Sequence, residues 1–548
     1  MKKIIKENKV FILSSFILSL LLTASVDFVE TKHFSVLNFD FWFKYIIFTC
    51  GFIFLFSLIK YIDNKIVKKI NMKKDEKYSK ENLIKIFLIN SIILFAIFWM
   101  AYIALYPGYF SYDAPGQIIQ VFHYKELNAH QPVIHTLLLS VCIAIGNKFF
   151  WGTNCGLAIY TFIQMMIVIL SLSYIFIKLL EFNVNKYVII ISEALIIINP
   201  VFQIFVMTST KDVIFSSLFI IWIIHVVEMY ESGEKFFASV SKNIFYVINV
   251  ILMCLFRKQG IYVVFCVGLV QCFTMKKYFK KYLCSFICII AIFNFIIGPV
   301  SSWLGIVESP VKEILSVPLQ QMSRVINENG NITDEQKEMF YKFVPKNKVK
   351  NYIPYISDPI KDNMNEIYFK LHIKDFIKLY IDLGIKNFSI YVDSFLYGIV
   401  GYVAPVEDEE NIYIGIFEFI GPELYEVFGL PYIKEGAVFE ETKFEGYKNY
   451  LYHVRETLLV DIPIISFWCN TSFSFWIFAV CTIIIIYKKN YKYLIVSLIA
   501  LIFGGILALG PVCCIRYIIP IKYAIPIIIS LATKNNNVDL EENNKVKN

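Results

Sequence analysis

The sequence predicts an all-α polytopic membrane protein of about twelve transmembrane helices, with an α-rich outer domain towards the C-terminal third. Three observations predict it. Hydrophobic residues make up 57% of the 548 residues and charged residues 18%, against about a quarter charged in soluble domains; mean hydropathy is +0.60. Apolar runs near the roughly 20 residues that cross a bilayer as helix recur along the chain. The lysines behind the formal charge of +8 cluster in short loops between those runs, which is positive-inside bias and not a nucleic-acid surface.

The first run, 10–27, follows Met1, Lys2 and Lys3 and has a weak small-residue site at Thr23 to Ser25, as a signal peptide would. The many similar segments behind it favour an anchor. Runs at 43–61, 87–105, 157–178, 282–299, 465–487 and 493–510 follow, with shorter or interrupted ones at 187–202, 213–229, 244–256, 261–273 and 517–532. The run 133–145 is too short to cross and is expected to dip into or lie on the outer surface. With the N-terminus inside, the Lys-rich loops at 65–85, 275–281 and 487–492 and the tail after Lys534 share one side. Both termini are therefore expected in the cytoplasm, and 106–156, 208–212, 257–260, 301–464 and 511–516 outside.

This divides the chain into an N-terminal transmembrane module at 1–300 with a first outer loop at 106–156, an extracytoplasmic domain at 301–464, C-terminal transmembrane helices at 465–532 and a polar cytoplasmic tail at 533–548. The outer domain carries the polar stretches SDPIKDN at 357–363 and PVEDEEN at 405–411. Its stretch 377–402 is amphipathic and is expected to lie on the membrane. All 12 cysteines fall in or beside apolar segments, and the adjacent Cys513 and Cys514 lack metal-site spacing. Membrane thiols packed as small hydrophobes explain them.

Candidate chemistry gathers in 106–135, where Asp113, His123, Glu126, His130 and His135 form a polar island between apolar regions. Asp113, in a turn rich in Pro and Gly, is either a general base or the N-cap of a helix opening at Ala114 and Pro115. His123, His130 and His135 are spaced by seven and five, which does not put them on one helical face. A metal is left open, with a divalent cation as the cofactor it would imply; His130 and Gln131 are read as hydrogen-bonding a sugar or the backbone ahead of Pro132. Glu126 beside Lys125 reads as a solvated pair. Arg257 and Lys258, and Arg516 followed by Tyr517, are cations on the side where positive-inside bias disfavours them, so they either meet an anion or snorkel to headgroups. Lys211 and Asp212 are either a self-neutralising pair at a helix start or supply a second acidic group. Glu193, in an apolar run, is costly without a partner, and the sequence names none.

The set SYDAPGQ at 111–117, HQP at 130–132, STKD at 209–212 and RYIIP at 516–520 resembles the GT-C glycosyltransferases that use lipid-phosphate sugars. YPGYFSYDAPGQ at 106–117, RKQGIY at 257–262, SVPLQQMSRV at 316–325 and SDPIK at 357–361 are similar to a family of uncharacterised bacterial membrane proteins placed near that superfamily. The resemblance implies a GT-C-like fold in the cell membrane. It also implies transfer of a sugar from a polyprenyl-phosphate donor to a cell-envelope acceptor, a glycan, lipid or protein, at the outer face. Asp113 and Asp212 would be catalytic; His130, Gln131, Lys211, Arg257, Lys258, Arg516 and Tyr517 would hold substrate. Where that pattern has paired histidines or Trp-His, this chain has His130 and Gln131, and its first loop carries one aspartate in place of an acidic pair.

Elementary chemistry agrees with such an enzyme. A phosphate leaves as a stable anion and needs no strong acid, so one carboxylate base plus cations suffices. The competing classes are a transporter or flippase of a lipid-linked sugar or anion, whose polar groups belong at mid-bilayer in broken helices, and a non-catalytic envelope-assembly protein, which would tolerate loss of Asp113.

Overall fold

The computed structural model of the chain describes residues 2–36, 38–63, 65, 78–111, 113–122, 126–149, 153–405, 444–457 and 462–534. The basic loop at 66–77, His123, Lys125, nearly all of PVEDEEN and the tail from 535 lie outside the described residues. The described chain is a polytopic all-α membrane protein. Seven of its helices are long and apolar enough to cross a bilayer: Lys9–Thr31, Phe39–Ile62, Lys80–Ala104, Cys155–Glu181, Lys211–Ala238, Lys276–Trp303 and Ile515–Thr533. The number rises to nine if two bent pairs each count as one span, Lys186–Ile197 with Pro200–Val206 at 70° and Pro463–Cys469 with Ser472–Tyr487 at 84°. Four shorter apolar helices accompany them, Val133–Phe149, Val240–Phe256, Gly260–Thr274 and Tyr491–Leu507.

Local chemistry places the ends and breaks. Ser79 accepts from Asn82 N and opens the helix Lys80–Ala104; Asn185 opens Lys186–Ile197 in the same way. The bend after Ile197 falls where Asn199 caps a new helix whose first residue, Pro200, has no N–H to continue the old one. At the second bend, the buried Lys522 ammonium donates to the carbonyls of Cys469 and Asn470 at 3.0 and 2.6 Å, satisfying acceptors that the break has released.

The largest core is built by the membrane helices. A second, separate core, including Leu319, Met322, Val325, Phe340, Phe343, Ile360, Phe376 and Leu383, lies within 315–391, where helices begin as soluble ones do: Thr333 and Gln336 form a capping box. On the helix Ile373–Lys386, Phe376, Leu379 and Leu383 face that core. Ile373, Ile377, Ile381 and Ile385, one turn apart, stay 44 to 76% exposed, an apolar stripe of the kind that settles into a bilayer interface. The helix Glu445–Thr457 instead packs on the membrane helices Pro200–Val206 and Lys80–Ala104, with Leu451 and Val454 in the first core.

Two backbone bridges pin the second core to the membrane helices. Asn128 pairs with Val307 and Ile356 with Val512, reinforced by Ala129 N to Val307 O at 2.7 Å and Ser357 N to Pro511 O at 2.9 Å. The first bridge lies just ahead of His130 and Gln131, the second just ahead of Arg516.

Candidate functional site

Among the described residues the single sheet is a pair of two-residue parallel strands, Tyr109 opposite Thr208 and Phe110 opposite Ser209. Because the pairing is parallel, the chain leaves both strands in the same direction, through Ser111 on one side and Thr210 on the other. Ser111 donates to Ser209 O at 2.8 Å, and Asp113 and Lys211 arrive at one end. Gly108, at φ +104°, makes the approach possible: a Cβ there would stand 2.5 Å from Thr161 Cγ2 and 2.7 Å from Met207 O. Behind the strands, Gln164 Nε2 donates to the carbonyls of Val206 and Thr208 at 2.8 and 2.7 Å, and Thr161 to Pro107 O at 3.1 Å.

From that end a cluster of ion pairs extends. Lys211 Nζ lies 3.1 Å from Asp113 Oδ2 and also donates to Gln131 Oε1. Arg516 Nη1 lies 3.2 Å from the same Asp113 oxygen, and its Nε 3.6 Å from Asp212 Oδ2. Arg257 Nη1 donates to Asp212 Oδ1 at 3.0 Å, both side chains being almost wholly buried. Tyr517 presents its ring to both guanidinium groups, 5.1 Å from Arg257 and 5.2 Å from Arg516. Lys258 Nζ is held by Ala129 O at 2.6 Å, and burial lowers its pKa.

Burial alone would raise the Asp113 carboxyl. The Lys211 ammonium and the Arg516 guanidinium beside it outweigh burial and hold it well below the usual carboxylate range. Three cations face two carboxylates in this cluster, an excess of one positive charge. Arg516 Nε, buried, makes no hydrogen bond among the described residues. An uncompensated guanidinium or ammonium group of this kind is able to pair with an anion.

The sequence-derived residues thus divide. Asp113, Gln131, Lys211, Asp212, Arg257, Arg516 and Tyr517 come together, and Lys258 lies alongside through Ala129. His130 points elsewhere: its Nδ1 is 3.7 Å from Glu313 Oε1, and Glu313 binds Lys361 at 2.8 Å, which in turn binds Asp358 at 2.9 Å. The SDPIK motif therefore builds a charged cluster of the second core. Those carboxylates outweigh burial and hold the Lys361 ammonium above its usual range. Lys211 and Asp212 do not neutralise each other, and the Asp113 carboxylate is taken by cations, while only its carbonyl serves the helix start, accepting from Gln117 N at 3.2 Å.

His135 is a buried core histidine, with Nδ1 3.1 Å from Gln117 Oε1 and Nε2 2.8 Å from the Tyr160 hydroxyl. Tyr160 passes the chain to Gln164 at 3.0 Å. Sequence reading missed Tyr160 and Gln164; a glutamine inside an apolar span was the available signal. Glu193 finds the partner its sequence context withheld, Asn90 Nδ2 at 3.3 Å. Glu126 is exposed, and its neighbour Lys125 lies outside the described residues. Among the described residues, no group of three or more His, Cys, Asp or Glu side chains could hold a metal.

A polytopic all-α membrane protein with a cationic, carboxylate-containing cluster where several helices end is the class defined here. The chain belongs to DUF6020, a family of unknown function, which it matches over residues 123–546. No curated protein and no solved structure matches it.

Proposed function

We propose that this protein is a GT-C-type glycosyltransferase of the cell membrane, moving a sugar from a polyprenyl-phosphate donor to a cell-envelope acceptor at the outer face. The observation that carries the reading is the Asp113, Lys211, Arg516, Asp212, Arg257 cluster, with its excess positive charge and an Arg516 Nε that makes no hydrogen bond among the described residues. The seven helices long enough to span and the two bent pairs support a polytopic framework for such an enzyme; the reading adds three of the shorter helices as crossings, leaves Val133–Phe149 at the surface, and so takes both termini as cytoplasmic and the cluster as outer.

In this reading the donor phosphate docks on Arg516 and Lys211 and draws them away from Asp113. Losing those partners raises the Asp113 pKa towards normal, so donor binding itself makes the carboxylate a better base. Asp113 then takes the proton of the acceptor hydroxyl as its oxygen bonds to the anomeric carbon. The bond from that carbon to the phosphate oxygen breaks, and polyprenyl phosphate leaves as an anion neutralised by Arg516. Asp212 holds Arg257 and Arg516 in position and touches no reacting atom. A divalent cation has no assigned site in this scheme.

A second reading, a transporter or flippase of a lipid-linked sugar or anion, is favoured by the two bent helix pairs, since broken helices are the usual framework of transport sites. One experiment separates the two. Cells lacking the protein are rescued with wild type or Asp113→Asn at matched membrane level, and glycans and lipid-linked sugars are profiled. Transfer predicts that wild type restores a missing sugar while Asp113→Asn does not and accumulates donor; full rescue by Asp113→Asn ends the transferase reading.

A further inference from the structure

Glu193 takes no part in the ion-pair cluster, yet it is an acid only 6% exposed inside the apolar half-helix Lys186–Ile197. Among the described residues its side chain meets no cation and receives one hydrogen bond, from Asn90 Nδ2 to Oε1 at 3.3 Å. Asn90 Nδ2 also reaches the fully buried Ser173 Oγ at 3.4 Å, and Ser91 donates to the same oxygen at 2.9 Å. Polar side chains of three helices thus converge on one point: Asn90 and Ser91 from Lys80–Ala104, Ser173 from Cys155–Glu181, and Glu193. Charges on the elements packed here are engaged or remote. On Cys155–Glu181, Lys178 is held by Glu181 and Glu228 at 2.7 and 3.3 Å, and Tyr174 meets His225. Pro200–Val206 and Ile525–Thr533, which also pack on this half-helix, carry no charged side chain. Lys80, Glu81, Lys85 and Lys186 are exposed and lie more than a turn from Asn90 or Glu193 along their own helices.

A carboxylate buried in hydrocarbon without a cation takes a proton and becomes a neutral acid. Amide and hydroxyl partners suit that form. A metal ion suits the site poorly, because Asn90 turns its N–H end to both Glu193 and Ser173, where an ion would need lone pairs. We propose that Glu193 is a proton-binding site inside the membrane, loaded while the half-helix Lys186–Ile197 packs on Asn90 and Ser173 and unloaded when that contact opens. Opening admits water, which accepts the proton and leaves the carboxylate hydrated. The 70° break after Ile197 falls one turn beyond Glu193, and broken helices are where membrane proteins place the ions that drive their movements. The site uses no residue of the ion-pair cluster and does not rest on the transferase reading.

The test uses the full chain in lipid nanodiscs at about pH 7, where an ordinary glutamate, with a pKa of about 4.3, is ionised. The infrared carbonyl band of protonated carboxyls is compared between wild type and Glu193→Gln, a neutral side chain of the same shape. In parallel the discs are treated with dicyclohexylcarbodiimide, which dissolves in lipid and reacts with protonated carboxyls. The acid's proton passes to one carbodiimide nitrogen, its oxygen bonds to the central carbon, and the product rearranges to a stable N-acylurea that peptide mass spectrometry locates. Ile190 and Ile191 on the same half-helix are 48 and 70% exposed, so the reagent reaches its flank from the bilayer. The expected result is a band missing from Glu193→Gln and an adduct at Glu193, both fading as pH is raised and both equal in sodium and choline salts. A spectrum that Glu193→Gln leaves unchanged overturns the proton site. Loss of band and adduct in sodium alone also overturns it, since the ligand is then a metal ion, and a band that persists at alkaline pH overturns the release. Asn90→Lys, which sets an ammonium beside the carboxyl, should abolish both signals, whereas Asn90→Gln keeps them; signals as strong in Asn90→Lys as in wild type would refute the link between the missing cation and the proton.

Discussion

Lys211 and Asp212 are neighbours in sequence and turn to different partners, Lys211 to Asp113 at 3.1 Å and Asp212 to Arg257 at 3.0 Å. The separation follows from Thr210, whose hydroxyl caps the helix that opens at Lys211. Successive residues of a helix point about 100° apart, so the two charges leave the axis towards different elements, and one dipeptide joins two ion pairs into a single network.

The Arg257 and Asp212 pair is buried on both sides. Arg257→Met leaves an almost dry carboxylate with Arg516 as its remaining cation, and should lower stability by about 3–5 kcal/mol. Arg257→Met/Asp212→Asn together should cost less than Arg257→Met alone. Chemical unfolding of the four proteins of this cycle checks the sign; a double variant worse than the single would refute the pairing.

Asp113 contributes to stability with a definite pH sense. Its folded pKa lies below the ordinary value of 3.8, so its ion pairs stabilise the fold above that pH and are lost as pH falls through the folded pKa. The midpoint difference between wild type and Asp113→Asn should be flat from about pH 8 to 5 and shrink only below about pH 4. A difference that already collapses near neutral pH would mean that the carboxylate is not held by cations.

Gly108→Ala tests the strand pair that aligns the two motifs. The substitution places an L-residue at φ +104° and drives its Cβ against the backbone oxygen of Met207, at a cost of about 1–3 kcal/mol for the conformation alone. Activity in the rescue assay should fall more steeply than membrane level, because the displaced strand carries Asp113. Equal losses would argue that Gly108 serves folding only.

Gln164→Leu keeps the volume of the side chain but removes the donor shared by the carbonyls of Val206 and Thr208. The Thr208 carbonyl keeps the Thr210 N–H at 2.7 Å, so the loss falls on the Val206 carbonyl and should cost about 1–3 kcal/mol, and Gln164→Glu, which also lacks the amide donor, should not rescue. Unfolding midpoints near wild type in both would show that water replaces the amide.

The membrane class was legible because composition and the length of apolar runs report the solvent of a segment residue by residue. The polar island at 106–135 and the outlying Arg257, Lys258 and Arg516 were legible for the same reason: charge in an apolar context is costly wherever the chain goes. Which of them would meet was not legible. His130 meets Glu313, which binds Lys361, whereas Gln131 beside it turns to Lys211.

By itself, the sequence determined where this chain is apolar, where its helices start, and that Asn199 and Pro200 break one of them. Only the tertiary structure decided that Asp113 pairs with Lys211, 98 residues away, and with Arg516, 403 residues away. Hydropathy and capping are local properties of a segment. An ion pair depends on the register of two short parallel strands and on the packing of helices remote in sequence, and no local pattern encodes that distance.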